Sequence, residues 1–359
     1  MAQRALLLLS LLFSVNLMRA IRLIKGPRPS VLRRYLSTPE SEIPFSTTTT
    51  TSDLLLTGLN GAQTISVKVV NCREVVQEAM LRNDLSVTAA TTLAEVMACA
   101  LMMGSGYKNQ ETLQVNIVGT GGMRNCMAIT DGELKIRGMV GDPRFSLGTG
   151  ATTRDLFGEG GQIQIVRNHP TWKRPQTGIV ALRDASVPLN LALYMIESEQ
   201  RSAALLVDVK IDNNLCRHAL AVCVERLPGA QEEDLELSIR NLEEVERRGL
   251  ASFLVRTEEE RRADTSEFRD FEPVLGKILD RCLENMGEEL RWSKTPTFRC
   301  SCDVEKVWRT LRLLPRSDIE EILQDPQNVE AVQVACEFCQ QKYAIPSGEI
   351  REKILSVLQ

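Results

Sequence analysis

Four cysteines near the end of the chain have the spacing of a metal or redox site. "TFRCSCDVEKVWRT" carries a C-x-C pair, Cys300 and Cys302, and "VACEFCQQKYAI" carries a C-x-x-C pair, Cys336 and Cys339. Thiols so arranged could form a structural zinc clamp, two disulfides, or a switch between the two. Tetrahedral zinc takes four thiolates, and two short pairs on separate turns are the usual way to supply them. No histidine follows His218, so a site here is all-sulfur. On spacing alone, an inert zinc knob that folds a small domain leads.

Chemistry tilts the balance towards a switch. A thiolate held by zinc is deprotonated, and so is a nucleophile towards peroxide or hypochlorous acid. Each pair is near enough to close a disulfide within itself, which would eject the metal. Structural zinc supplies folding free energy on the order of 10 kcal/mol or more. Its loss would unfold so small a module, and a marginal segment leaning on it would follow.

The other six cysteines, Cys72, Cys99, Cys126, Cys216, Cys223 and Cys282, are scattered among apolar neighbours. Cys99 in "AEVMACALMM" reads as a small buried hydrophobe. One clustered thiol site among scattered thiols favours a reducing compartment over a disulfide framework. Only two histidines exist, His169 and His218, and no Ser-His-Asp, Cys-His or HExxH constellation is present. "VGTGGMRN" and "FGEGGQI" lack the strand-loop-helix setting and the Lys-Ser/Thr pair of a phosphate loop, so their glycines read as turn glycines. Nothing in these motifs supports an enzyme.

The elements that must position the thiols follow from periodicity. "CREVVQEAMLRND" and "LSVTAATTLAEVMACALMMGSG" have helical spacing, and the second is apolar on most sides, which predicts a buried helix. "TLQVNIVG" alternates as a strand. "RNCMAITDGELKIRGMVG" predicts two strands joined at Asp131-Gly132. "GQIQIVRN" with "QTGIVALRD", and "AALLVDVKI" with "RHALAVCVERLPG", are two more strand pairs. Between them "SVPLNLALYMIESEQRS" predicts a helix of about four turns capped by Ser186. The fold class is α+β: an N-terminal domain of mixed sheet and helix, a charged helical linker and a small C-terminal all-cysteine zinc domain.

Composition changes sharply after Gly229. From Glu232 to Glu272, 21 of 41 residues are charged, 14 acidic and 7 Arg. Leu235, Ile239, Leu242 and Val245 keep helical spacing, giving a thin apolar stripe whose stability alone is marginal. It is either a solvated surface element or one that a few kcal/mol can dock or melt. "PVLGKILDRCLENMG" predicts another short helix.

The chain has 359 residues, 43% hydrophobic and 25% charged, enough for two domains. Aromatic residues make up only 4%, which does not suggest a base-stacking platform. The first 39 residues carry seven Arg/Lys and no acid, and without them the net charge passes from -4 to -11. So acidic a body argues against nucleic acid as the main partner. The basic leader reads as an organellar presequence, with a signal peptide or bipartite plastid address as the alternative. Its apolar run from Ala5 to Met18 is short for a membrane span.

Taken together, "FRCSCDVEKVWRTLRLLPRSDIEEIL", "VACEFCQQKYAI", "VGTGGMRNCMAITDGELKIRGMV" and "LNLALYMIESEQRSAALLVDV" make the chain resemble the heat-shock protein 33 family of redox-regulated holdase chaperones, over essentially Asp53 to Leu355. The resemblance implies one Zn2+ per chain in the reduced state, held by Cys300, Cys302, Cys336 and Cys339. It implies that oxidation forms the two short-range disulfides, with the C-x-x-C pair responding first, releases zinc and unfolds the linker. A reduced, inactive monomer then becomes an oxidised dimer that holds unfolding client proteins without ATP, with neither nucleic acid nor membrane as partner. The expected division is a presequence and spacer at 1–52, a chaperone domain at 53–230, a metastable linker at 231–296 and the redox domain at 297–359. Leu242, Phe253 and Leu254 of the linker are candidate client contacts. The mitochondrial matrix is the expected compartment, with the plastid stroma as alternative. The chain departs from typical bacterial members in its leader and in "RTEEERRADTSEFRDFEP", which makes the linker longer. Cys282, inside that region, could form an aberrant disulfide once exposed. The rival reading is a constitutive zinc ribbon that recruits a protein or RNA. A thiol oxidoreductase is weaker still, because no thioredoxin-like βαβ context surrounds Cys336.

Overall fold

The computed structural model describes residues 53–254 and 271–355, apart from 109, 149, 288 and 289. The basic leader and most of the extra linker stretch, residues 255–270, lie outside the described residues. The fold is α+β, packed as two compact units that interleave along the chain. One holds the described residues up to Asn71 with Ala192–Leu206 and Ala221–Thr295. The other holds Cys72–Leu191, Val207–Leu220 and the described residues from Pro296.

The first unit is built on one sheet. Its strands are β1 (Leu54–Leu59), β2 (Ile65–Asn71), β8 (Ala203–Asp212), β9 (Leu215–Arg226) and β10 (Leu290–Lys294), in the order β10-β1-β2-β9-β8. β8 and β9 continue into the other unit. β1 is a largely apolar run with little alternation, whereas Ile65, Val67 and Val69 of β2 alternate with Ser66 and Lys68 although every residue of that strand is buried. Asn60 shapes the turn between them, its Oδ1 accepting from the Thr64 and Ile65 N–H groups at 2.8 Å each. β10 pairs antiparallel with β1, Leu55 opposite Lys294.

The charged segment folds in this unit as α5 (Glu232–Arg248), a 3-10 turn at Leu250–Leu254 and α6 (Glu272–Cys282). Its apolar stripe is used: Leu235, Leu242 and Val245 are buried. Leu275, Ile278, Leu279 and Cys282 of α6 are buried, and α6 packs on β1 and β2. Gly58 permits that approach, since a Cβ there would sit 2.9 Å from Leu279 Cδ2. Asn241 fastens the two helices, donating to the Cys282 carbonyl at 3.1 Å and the Glu284 carbonyl at 2.9 Å. Within the same unit Arg201 makes a bidentate pair with Glu225 at 2.7 and 2.8 Å.

The second unit carries the strands β3 (Thr112–Val118), β4 (Asn125–Asp131), β5 (Lys135–Val140), β6 (Gln162–Asn168), β7 (Gln176–Ala181) and β11 (Thr297–Phe298). They form a sheet of order β11-β5-β4-β3-β6-β7. α1 (Arg73–Asn83) and α2 (Val87–Gly104) cover it, α2 with most of its residues buried, as its composition predicts. α2 passes close to β5 at Gly138, where a Cβ would meet Leu93 Cδ1 at 2.7 Å. Asp131-Gly132 does join β4 to β5, but the residue with positive φ is Leu134 (φ 60). Gly132 is needed for another reason: a Cβ there would lie 2.4 Å from the Tyr107 carbonyl oxygen. α3 (Thr153–Phe157) follows, and Gly119, Gly121 and Gly122 pack against Phe157 or Phe145 rather than forming an open cradle.

The helix predicted from Ser186, α4 (Val187–Glu197), has 11 residues, nearer three turns than four. Ser186 Oγ accepts from the Leu189 N–H at 3.4 Å, as the cap expectation requires. The chain leaves the helix before Gln200, whose φ of 55 cannot continue it.

Candidate metal centre

Each cysteine pair sits on a turn launched by regular structure. β11 pairs in parallel with β5, and the Arg299 N–H donates to the Ile136 carbonyl at 2.9 Å, which delivers Cys300 beside the strand. Directly after Cys302, Asp303 caps α7 (Val304–Leu311), accepting from the Lys306 N–H at 2.7 Å. The second pair lies in the turn between β12 (Ala331–Ala335) and β13 (Lys342–Pro346). That turn is closed by the Cys336 N–H on the Gln341 carbonyl at 3.0 Å and the Gln340 N–H on the Cys336 carbonyl at 2.8 Å. Behind both turns a small apolar core joins Trp308 and Leu311 of α7, Ile319 and Leu323 of α8 (Arg316–Gln324), Val332, Ile345, Ile350 and Ile354.

The fold brings all four sulfurs within 4.8 Å of one another. Cys300 Sγ lies 3.7 Å from Cys336 Sγ, and Cys302 Sγ lies 3.3 Å from Cys339 Sγ. Four thiolates around one tetrahedral ion with bonds of about 2.3 Å would stand about 3.8 Å apart. The donor set and its spacing therefore fit a metal ion. Cys339 is buried and the other three are half-buried.

The thiols do not share one environment. At Cys300, burial pushes the thiol up, but the Cys302 N–H and the neighbouring thiols outweigh it and bring it down to about 7. At Cys339, burial and then the adjoining sulfurs push the thiol up to about 12. Burial also raises Cys336. One sulfur thus ionises readily and raises the cost of ionising its neighbours, so four thiolates together call for a cation.

Several groups that touch the cluster carry no signal in the sequence. Tyr343 on β13 donates its hydroxyl to Cys302 Sγ at 3.2 Å. Arg137 on β5 and Arg82 and Asn83 on α1 also reach the cysteine turns. In the sequence these last three are single polar residues in ordinary strand and helix patterns, lying 150 or more positions away.

The remaining expected residues are placed elsewhere. Leu242 and Phe253 are buried and Leu254 is half-buried, all in the first unit. His169 bonds Thr171 in a loop, and His218 Nε2 lies 3.0 Å from Asp208 Oδ1, neither in the cluster. Cys72, Cys99, Cys126, Cys216, Cys223 and Cys282 are all buried.

Known proteins resemble this chain. A family model described as "Hsp33 protein" matches residues 53–346. A 33 kDa chaperonin of Clostridium novyi is 24% identical, spanning 85% of this chain and 99% of that protein. One from a Synechococcus species is 25% identical, spanning 77% of this chain and 82% of the other. The crystal structure of the Thermotoga maritima 33 kDa chaperonin shares the fold at a TM-score of 0.70 and 20% identity, covering 86% of this chain and 99% of that one. The family match runs through both sheets and both cysteine turns, and the chain belongs to the Hsp33 family of chaperones.

Proposed function

We propose that this protein is a redox-regulated, ATP-independent holdase: inactive with one Zn2+ bound, active once its four clustered cysteines are oxidised. The observation that carries this reading is that two separate cysteine turns bring their four sulfurs within 4.8 Å of one another, while the other six cysteines are buried elsewhere in the fold. When bound, Zn2+ would keep Cys300, Cys302, Cys336 and Cys339 as thiolates and tie the two turns together. Peroxide is the oxidant class that thiolates reduce. Each pair of thiolates gives two electrons to one hydrogen peroxide, which takes up two protons from solvent and leaves as two waters while one S–S bond forms. Closing both Cys300–Cys302 and Cys336–Cys339 removes every ligand. The turns then lose their common centre, and the small core around Trp308 and Ile345 loses its brace.

The linker is the proposed responder. Its stripe of Leu235, Leu242 and Val245, with Phe253 and Leu254 beyond, is covered in the folded state and would become client-binding surface on release. Oxidised protein would then dimerise, while reduced protein stays monomeric. The basic leader would deliver the chain to an organelle, with the mitochondrial matrix favoured over the plastid stroma.

The test treats reduced, zinc-loaded protein with peroxide under mild heat. Zinc release is followed with a chromophoric chelator, and suppression of client aggregation is assayed before and after. The expected result is release of one zinc per chain together with a gain of holdase activity. Zinc that stays bound, or equal activity in both states, sinks the switch and leaves a constitutive zinc module.

A further inference from the structure

One arginine bears on both cysteine turns. Arg137 on β5 donates to Ser301 Oγ at 2.9 Å and to Cys300 Sγ at 3.5 Å. Its guanidinium also lies over the Phe338 ring, 4.6 Å from the centroid. Ser301 stands between the two cysteines of the first pair, and Phe338 between those of the second. Helix α1 also holds the second turn. Arg82 Nη1 donates to the Cys339 carbonyl at 3.3 Å, and its guanidinium lies 5.3 Å from the centroid of Phe298, two residues before Cys300. Asn83 Nδ2 donates to the Phe338 carbonyl at 3.2 Å, and Asn83 Oδ1 accepts from Gln340 Nε2 at 3.0 Å.

We infer that Arg137, seconded by Arg82 and Asn83, is a positioning clamp that couples the two cysteine pairs and holds their turns on α1 and β5 only while all four sulfurs share one centre. Every group gripped is an atom of the turns themselves or of the strand that leads into them. A disulfide brings two sulfurs to about 2 Å and imposes its own dihedral on the residue between them. Closing either pair therefore moves Ser301 or Phe338 away from a guanidinium that must hydrogen-bond one and stack on the other. The arginine plane is what allows both contacts at once; a lysine ammonium is a point charge and cannot reproduce them. Oxidation of one pair would thus loosen the other, giving a physical link between two steps that the chain separates by more than thirty residues. This inference rests on the switch reading above.

The test uses the full reduced chain loaded with zinc and compares wild type with Arg137→Ala, Arg137→Lys and Arg82→Ala. Two readouts are taken: hydrogen exchange at the Arg299 amide, which bonds to β5, and peroxide oxidation of each pair, followed by mass spectrometry of trapped thiols. Arg137→Ala is expected to speed exchange at Arg299 and oxidation of Cys300 and Cys302 by roughly tenfold, the scale of one stacked, charge-assisted contact. Arg137→Lys should resemble Arg137→Ala, and Arg82→Ala should speed oxidation of Cys336 and Cys339. If exchange and both oxidation rates match wild type in all three variants while zinc stays bound, the clamp is overturned and the switch stands. If wild type itself binds no zinc, the switch reading fails and the clamp's role with it.

Discussion

Ten cysteines occupy two kinds of place in this molecule, and the contrast shows what makes a thiol available. Six lie inside the packed units. Burial pushes the Cys223 thiol up to about 11 and Cys282 up to about 12, and it raises Cys126 as well. These are small apolar side chains that happen to contain sulfur. The other four sit on two turns, within 4.8 Å of one another and bordered by N–H, hydroxyl and guanidinium donors. There Cys300 alone is brought down, to about 7, while Cys336 and Cys339 beside it are raised. The residue type is the same; the backbone element beneath it differs. A strand or helix in a core surrounds a thiol with hydrocarbon, whereas a turn presents bare N–H groups and solvent on one side.

The sharpest way to break this contrast is to remove ligands from the cluster. Cys336→Ser with Cys339→Ser should abolish tight zinc binding, an interaction on the order of 10 kcal/mol, and leave residues 304–354 open to protease. Zinc content and limited proteolysis check this; wild-type metal content in the double variant would show that the cluster is not the site. The matching change in the core should act otherwise. Cys126→Ser or Cys223→Ser buries a hydroxyl where a thiol sat among apolar side chains, costing about 1–3 kcal/mol. Thermal unfolding should register that loss while zinc binding stays at wild-type level.

A gentler probe compares the two sets in one sample. After chelation, iodoacetamide should modify half-buried Cys300 first in native buffer, and the six thiols inside the packed units only at the rate of unfolding. Equal labelling of Cys99 and Cys300 would erase the distinction. The smallest expected effect concerns the surroundings of Cys126. Burial raises the Glu95 carboxyl on α2 from 4.5 to about 7, and its charge in turn raises Cys126. A carboxyl raised in the folded state contributes stability that is full below pH 4.5 and lost as pH rises through 7. Glu95→Gln should therefore raise the melting temperature at about pH 8 and bring no gain at about pH 4. A gain of equal size at both pH values would mean that Glu95 is not held neutral by the fold.

Much of this organisation is legible in the sequence. The Asp131-Gly132 hairpin, the buried helix α2 and the apolar stripe of α5 all follow from period and turn chemistry, which are local properties. What periodicity does not show has local causes too. β1 is mostly buried and reads as a largely apolar run with little alternation, while β2 alternates over Ile65–Val69 for only a few residues even though both of its faces are buried. β10 reads "LRWSK" and is a strand only because β1 offers it an edge. β11 is two residues long, too short for any pattern. The hairpin motif assigns Gly132 to the turn's dihedrals, whereas what it serves is the approach of Tyr107.

By itself the sequence determined the candidate ligand set, because a pair of thiols one or two residues apart can hardly avoid sharing a turn. It also determined that a charged, thinly apolar segment precedes them. Tertiary structure alone decided that the two turns meet, that Arg137 and Arg82 stand against them, and that the linker helix α5 is covered by β2 and α6. Those contacts join residues separated by tens to hundreds of positions. They arise from pairing of strand edges and burial of faces, energies that depend on partners no local pattern names.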